Sequence, residues 1–187
     1  MAINFNLAII GTFLFTISLC SDGLAQSEAE TITAKNTLSV ELGGNAGRYA
    51  LSYGRLFHQN GSFKLSGSVG FSMWHENVLS STYWNPALPL EITALFGRSK
   101  HHMEFGLGLT PYLENSYDFD PSGEDMVKNS NHLNAILPLR LGYRYQKPEG
   151  GFFFRAGYTP LIFLPIGVRE TLHFYPLFAG LSFGKSF

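Results

Sequence analysis

Three groups of residues have the types and spacing from which chemistry could be built. The first lies in "YDFDPSGED", where Asp118, Asp120, Ser122 and Gly123 follow the opening of a calcium loop, D-x-D-x-S-G. Oxygen ligands on alternate residues of a tight turn suit a hard cation. The twelfth position, where a bidentate Glu closes such loops, is Asn129, and Pro121 stiffens the turn. Asp118 and Asp120 are therefore weak metal candidates, and a solvated acidic loop is the simpler expectation. The second group is the six histidines, His58, His75, His101, His102, His132 and His173. An imidazole beside a serine hydroxyl is the minimum for nucleophilic ester cleavage. His75 with Ser80 or Ser81, and His173 with Ser122, could meet only through loop folding. No catalytic residue is assigned, no cofactor is implied, and the histidines are expected at surfaces and rims. The third group is seven charges set singly into otherwise uncharged stretches: Glu41, Lys64, Glu91, Glu104, Arg140, Arg144 and Arg155.

The elements that carry these charges follow from composition and period. Charged residues are 14% of the 187 residues and aromatics 15%, where roughly 25% charged is ordinary. The length suits one domain. A net charge of −1 offers no basic patch, which argues against a nucleic-acid partner. Alternation of apolar with small or polar residues dominates from Asn36 onward. It runs through "NTLSVELGG", "RYALSYGRLF", "FKLSGSVGFSM", "LPLEITALF", "HMEFGLGLTPY", "LNAILPLRLGYRY", "FFFRAGYTP" and "PLFAGLSFGKSF". Period two over eight segments predicts an all-β chain. The connections alternate between short links, such as "HQNGS" with its Asn60-Gly61 hairpin signal, and long ones, such as 113–132. That asymmetry predicts an eight-stranded antiparallel up-and-down transmembrane β-barrel, with short periplasmic turns and long extracellular loops. The short "NAG" link after the first strand is the exception.

The N-terminal 25 residues read as a signal peptide. Leu7–Leu19 is mostly apolar and shorter than the roughly 20 residues of a membrane anchor. Cleavage is expected before Gln26, although the segment lacks Lys and Arg. A lipid attachment at Cys20 is the alternative, disfavoured by the bulky Leu19. Cleavage removes the single cysteine, so neither a disulfide nor a cysteine metal site is expected. Residues 26–35 read as a flexible periplasmic lead and 36–187 as the barrel.

Facing follows from the two sets of side chains. One face is Leu, Phe, Val, Ile and Tyr; the other is Gly, Ser and Thr with the seven charges. A soluble lipid-carrying barrel would need the second face as its exterior, where Lys and Glu normally abound. A Lys or Arg at the centre of a lipid-facing wall costs about 2–4 kcal/mol. The seven charges are therefore expected inside, as a lumen polar network of three acids and four bases. Glu104 and Arg144 fall near the periplasmic end, and Glu41, Glu91, Arg140 and Arg155 nearer mid-height. Arg55 and Lys185 have the opposite parity and are expected to snorkel to headgroups.

These segments, above all "VELGGNAGRYALSYGRLF" and "YPLFAGLSFGKSF", resemble the small eight-stranded outer-membrane β-barrels of Gram-negative bacteria, in particular a poorly characterised group met in Bacteroidota. The resemblance implies an outer-membrane location, contact with outer-membrane lipid, and recognition of the last strand by the barrel-assembly machinery through Phe183 and Phe187. The expected role is a non-enzymatic envelope, adhesion or small-ligand contact by a barrel with a filled lumen. The alternative is a lipid-acting enzyme or lateral lipid port. It would sit where Pro89, Pro111, Pro138, Pro160 and Pro176 weaken pairing at the extracellular rim and "PLIFLP", residues 160–165, offers an apolar lip.

Overall fold

A strand with one apolar face leaves backbone groups unpaired at both edges, and eight such strands can pair all of them only by closing into a ring. The computed structural model describes residues 29–78, 81–119, 126–167 and 169–187. The strands are β1 (Asn36–Gly43), β2 (Tyr49–Asn60), β3 (Phe63–Val78), β4 (Ser81–Ala87), β5 (Leu90–Phe96), β6 (His101–Phe119), β7 (Met126–Gln146), β8 (Gly151–Tyr158), β9 (Leu161–Phe163), β10 (His173–Tyr175) and β11 (Ala179–Ser186). The ring runs β1-β2-β3-β5-β6-β7-β8-β11, and β11 closes it on β1 from Thr37 opposite Ser186 to Gly43 opposite Gly180. Every pairing is antiparallel, so the eight ring positions are those expected from the alternation.

β4, β9 and β10 extend ring strands. β4 keeps the register of β5 along β3, with Ala87 opposite Ser72 and Leu90 opposite Val69. β9 keeps the register of β8 along β7, with Leu161 opposite Pro138 and Tyr158 opposite Leu141. The interruptions fall at Pro89, Pro160 and Pro176, each without an N–H for the ladder. The carbonyls still pair: Gly70 N donates to Pro89 O at 2.7 Å and Leu139 N to Pro160 O at 3.1 Å. Pro111 and Pro138 remain inside β6 and β7.

Three stretches expected as long loops are instead hairpins, β3–β4, β6–β7 and β9–β10, rising beyond the ring. Backbone pairing continues up such a hairpin past the level where one face meets lipid and the other a packed lumen, so its upper part needs no regular contrast between two faces. The strands at the opposite end are joined by short turns.

The apolar face is outward all around the ring. Leu38, Leu51, Phe71, Ile92, Leu107, Leu141 and Phe183 are all exposed. Arg55 and Lys185 share this outer face, toward the short-turn end. Inward positions are small or polar, with Ser39, Ser66, Thr93 and Ser182 buried.

Ile32 is fully buried with Leu56 and Leu95. Gln59 holds the Ile32 backbone twice, accepting from its N–H and donating to its carbonyl, both at 3.0 Å. Thr33 and Ala34 donate to Pro148 O, and Gln146 Nε2 donates to Ala34 O at 2.9 Å. One apolar residue in a polar run, matched to an apolar mouth, is enough to seat the segment across the short-turn end. Residues 1–28, which include the stretch read as a signal peptide, Cys20 and the start of the lead, lie outside the described residues.

Candidate functional site

Parity along the strands turns all seven charges into the lumen, and the stagger of the strands brings six of them together in a single network. Arg155 on β8 is its centre. Its Nη1 lies 2.9 Å from Glu91 Oε2 and 3.1 Å from Glu104 Oε1, and its Nη2 lies 3.1 Å from Glu41 Oε1. Arg140 on β7 bridges Glu91 through Nε at 2.7 Å and Glu41 through Nη2 at 2.5 Å. Arg144 pairs with Glu104 at 2.9 Å. Three carboxylates and three guanidiniums are thus buried together with formal charge balanced, which offsets the cost of taking each from water. Lys64 is buried but not part of this network. It lies beside the short turns and donates Nζ to Gly97 O at 2.8 Å and Gly61 O at 3.2 Å. A residue one position into β3 is too near the turn to reach mid-lumen carboxylates.

A roof covers the network. The link between β1 and β2 folds inward as one 3₁₀ turn, Gly44–Ala46, and all three residues are buried. Gly43, Gly44 and Gly47 have φ of 70°, 61° and 77°, a region costly for residues with a Cβ. This geometry aims Asn45 down and across: its Oδ1 accepts from Arg140 Nη2 at 3.0 Å, and its carbonyl accepts from Thr110 on β6 at 2.9 Å.

Above the roof, between the three hairpins, is a cavity of about 310 Å³. Trp74, Tyr112, Ile136, Leu161, Phe163 and Phe178 supply apolar wall, and Arg48, Asn85, Glu114 and Arg169 supply its polar groups. Ala87, Tyr112, Ile136 and Leu161 form a buried cluster against which Trp74, Phe163 and Phe178 pack. Leu161 and Phe163 come from the segment read as an apolar lip, and they face the cavity. Arg48 lies over the Trp74 ring at 5.6 Å, and Arg169 over Phe163 at 4.6 Å. Arg169 Nε also donates to the Tyr112 hydroxyl at 3.2 Å. Glu114 Oε2 accepts from Asn134 Nδ2 at 2.8 Å.

The wall around this cavity is uneven. β2 begins at Tyr49, so β3 beyond Phe71 pairs with β4 alone, apart from the Tyr49 hydroxyl donating to Met73 O. β10 pairs only with β9. Among the described residues no strand joins β3 to β10, and on that side β1 and β2 are connected by the short, inward-folded Gly44–Arg48 link. β4 meets β6 by one residue pair, Ala87 with Tyr112, and beyond it Asn115 Nδ2 donates to Asn85 Oδ1 at 2.6 Å.

A second chemical pair sits on β7. Ser130 Oγ and His132 Nε2 are 2.8 Å apart. Read as a loop, that stretch says nothing about proximity; read as a strand, positions i and i+2 share a face. Glu114 is opposite His132 in the β6–β7 register, but its Oε2 accepts from Asn134. The other histidines sit apart. His75 packs on Trp84, His101 Nδ1 meets the Tyr143 hydroxyl at 2.5 Å, His173 meets Thr171, and His102 is buried at the short-turn end. Asp118 has its backbone in β6 opposite Val127. Its side chain, Asp120, Ser122 and Ser80 lie outside the described residues. No group of three or more potential metal ligands occurs among the described residues.

Among solved structures, the chain is similar to the N-terminal β-barrel domain of Pseudomonas aeruginosa OprF, at 15% identity and a TM-score of 0.47, over 82% of this chain and 96% of that one. No family model and no curated protein sequence matches it.

Proposed function

We propose that this chain is an integral outer-membrane barrel, closed to solute flow, whose contacts are made at the hairpin end in a non-enzymatic envelope, adhesion or small-ligand role. The observation that carries this reading is the inversion of its faces: an apolar exterior around the whole ring and six paired charges within. An apolar girdle of this kind far exceeds the few hundred Å² a soluble monomer exposes, whereas hydrocarbon solvates it. The short turns would face the periplasm and the three hairpins the outside. Phe183 and Phe187, both on the outer face, are the proposed contacts for the assembly machinery.

The lumen is interrupted three times along its axis, by Ile32 with Leu56 and Leu95, by the ion network, and by the Gly44–Ala46 roof. Purified protein in planar bilayers is therefore expected to show no steady openings. Large, long-lived conductance steps would overturn the closed-lumen reading.

The Ser130–His132 pair favours one second reading, a lipid-acting hydrolase at the rim. A working base needs a third group to orient it, and His132 Nδ1 has no carboxylate bond among the described contacts. Under the first reading, a fluorophosphonate probe leaves Ser130 unmodified. Stoichiometric labelling that Ser130→Ala abolishes would establish the second.

A further inference from the structure

The cavity above the roof combines features that ordinary packing does not require. Its 310 Å³ is at the small end of ligand pockets, room for one slender molecule. Its walls are aromatic and aliphatic, yet two guanidiniums stand at its edge. Among the described residues, neither Arg48 nor Arg169 has a salt bridge, and Glu114 is the one carboxylate on the lining. Both guanidiniums are held over aromatic rings, which fixes their position, and Arg169 is further held by the Tyr112 hydroxyl, with no carboxylate among the described residues in salt-bridge contact with either.

Access is equally one-sided. The wall is lowest above Gly44–Arg48, and Leu177, 91% exposed, lines the cavity at that side. The residues bordering this side are themselves apolar and exposed: Leu42 and Tyr49 at the facing ends of β1 and β2, and Phe174 on β10. The gap therefore opens toward the same surroundings that solvate the barrel.

We infer that this cavity binds a single acyl chain carrying an anionic head, taken up sideways over the Gly44–Arg48 rim. The chain lies against Trp74, Tyr112, Leu161 and Phe178, and the head meets Arg48 and Arg169. The inference rests on the outer-membrane reading above, because only hydrocarbon surroundings bring such chains to the rim. The head can be that of a free fatty acid or of a membrane lipid; the chemistry at the site is the same.

The chain has two tryptophans, which makes the test direct. Trp74 lines the cavity, whereas Trp84 is exposed beyond it. In detergent-folded Trp84→Phe protein, a bromine-labelled C18 fatty acid is expected to quench Trp74 saturably, and its methyl ester is expected to quench far less. Arg48→Ala/Arg169→Ala should weaken the acid about tenfold or more, as loss of two charge-assisted contacts requires. In nanodiscs of bromine-labelled phosphatidylglycerol without added acid, strong Trp74 quenching identifies a lipid-borne chain, and quenching only after acid is added identifies the free acid. Linear, unsaturable quenching, equal binding of acid and ester, or full affinity in the double variant each overturns the inference. Detergent dependence and strand circular dichroism are recorded on the same samples. A folded, detergent-requiring barrel that does not bind refutes only this site, while a protein soluble without detergent refutes the membrane reading itself.

Discussion

Arg155→Leu is expected to destabilise the barrel by about 3–5 kcal/mol, the usual cost of removing one partner from a buried ion network. Arg155 touches all three buried carboxylates. Without it, Glu91 Oε2 loses its guanidinium while Oε1 keeps Arg140, and Glu41 and Glu104 each keep one guanidinium. Three acids then face two bases in a buried space. With a urea slope of about 1–3 kcal/mol per molar, the unfolding midpoint should fall by about 1 M or more. Arg155→Lys should rescue little, since one ammonium cannot present a planar fork to three acceptors. Adding Glu91→Gln to Arg155→Leu restores two acids against two bases, so the double variant should be more stable than Arg155→Leu alone. A single variant that unfolds at the wild-type urea concentration would show that the network contributes nothing net.

The second large effect concerns the roof and has an internal control. Gly44 and Gly47 both have positive φ, so alanine at either costs about 1–2 kcal/mol in backbone strain. Only at Gly44 does an added Cβ also collide. It would fall 2.3 Å from Glu41 Oε1, while at Gly47 nothing lies within 4 Å. The turn cannot back away, because Gly180 on β11 packs against it so closely that a Cβ there would sit 2.6 Å from Gly44 Cα. Gly44→Ala must therefore move the Glu41 carboxylate off Arg140 and disturb the network beneath. The expected result is at least twice the destabilisation of Gly47→Ala, with brief channel openings that Gly47→Ala lacks. Equal losses in the two variants would mean that the roof and the network are mechanically independent.

The parts of this fold that were readable in advance share one physical cause. Period two reports a contrast between two environments, and each ring strand has one. Leu38, Val40 and Leu42 against Ser39 and Glu41 already state which face is which. Parity likewise sends Glu91, Glu104, Arg140, Arg144 and Arg155 to the polar side without any knowledge of partners. Where the contrast disappears, so does the signal. The hairpin arms around His75–Trp84 and Glu114–His132 rise beyond the ring, and their backbone pairing leaves no pattern in the side chains. Ser130 and His132 went unpaired in the sequence for that reason, and Ile32 because a single apolar residue has no period.

What the sequence determined by itself is thus the all-β alternation, the number of ring strands, and the side of the wall on which each charge lies. What only the tertiary structure decided is which groups meet. Glu41 and Arg140 are 99 residues apart, and closure of the ring joins them while leaving Lys64 to the short turns. The inward fold of Gly44–Ala46, the low rim above it and the aromatic cavity behind it have the same origin. Facing is a local property of each strand, whereas contacts across a lumen depend on how all eight strands are staggered when the last one closes on the first.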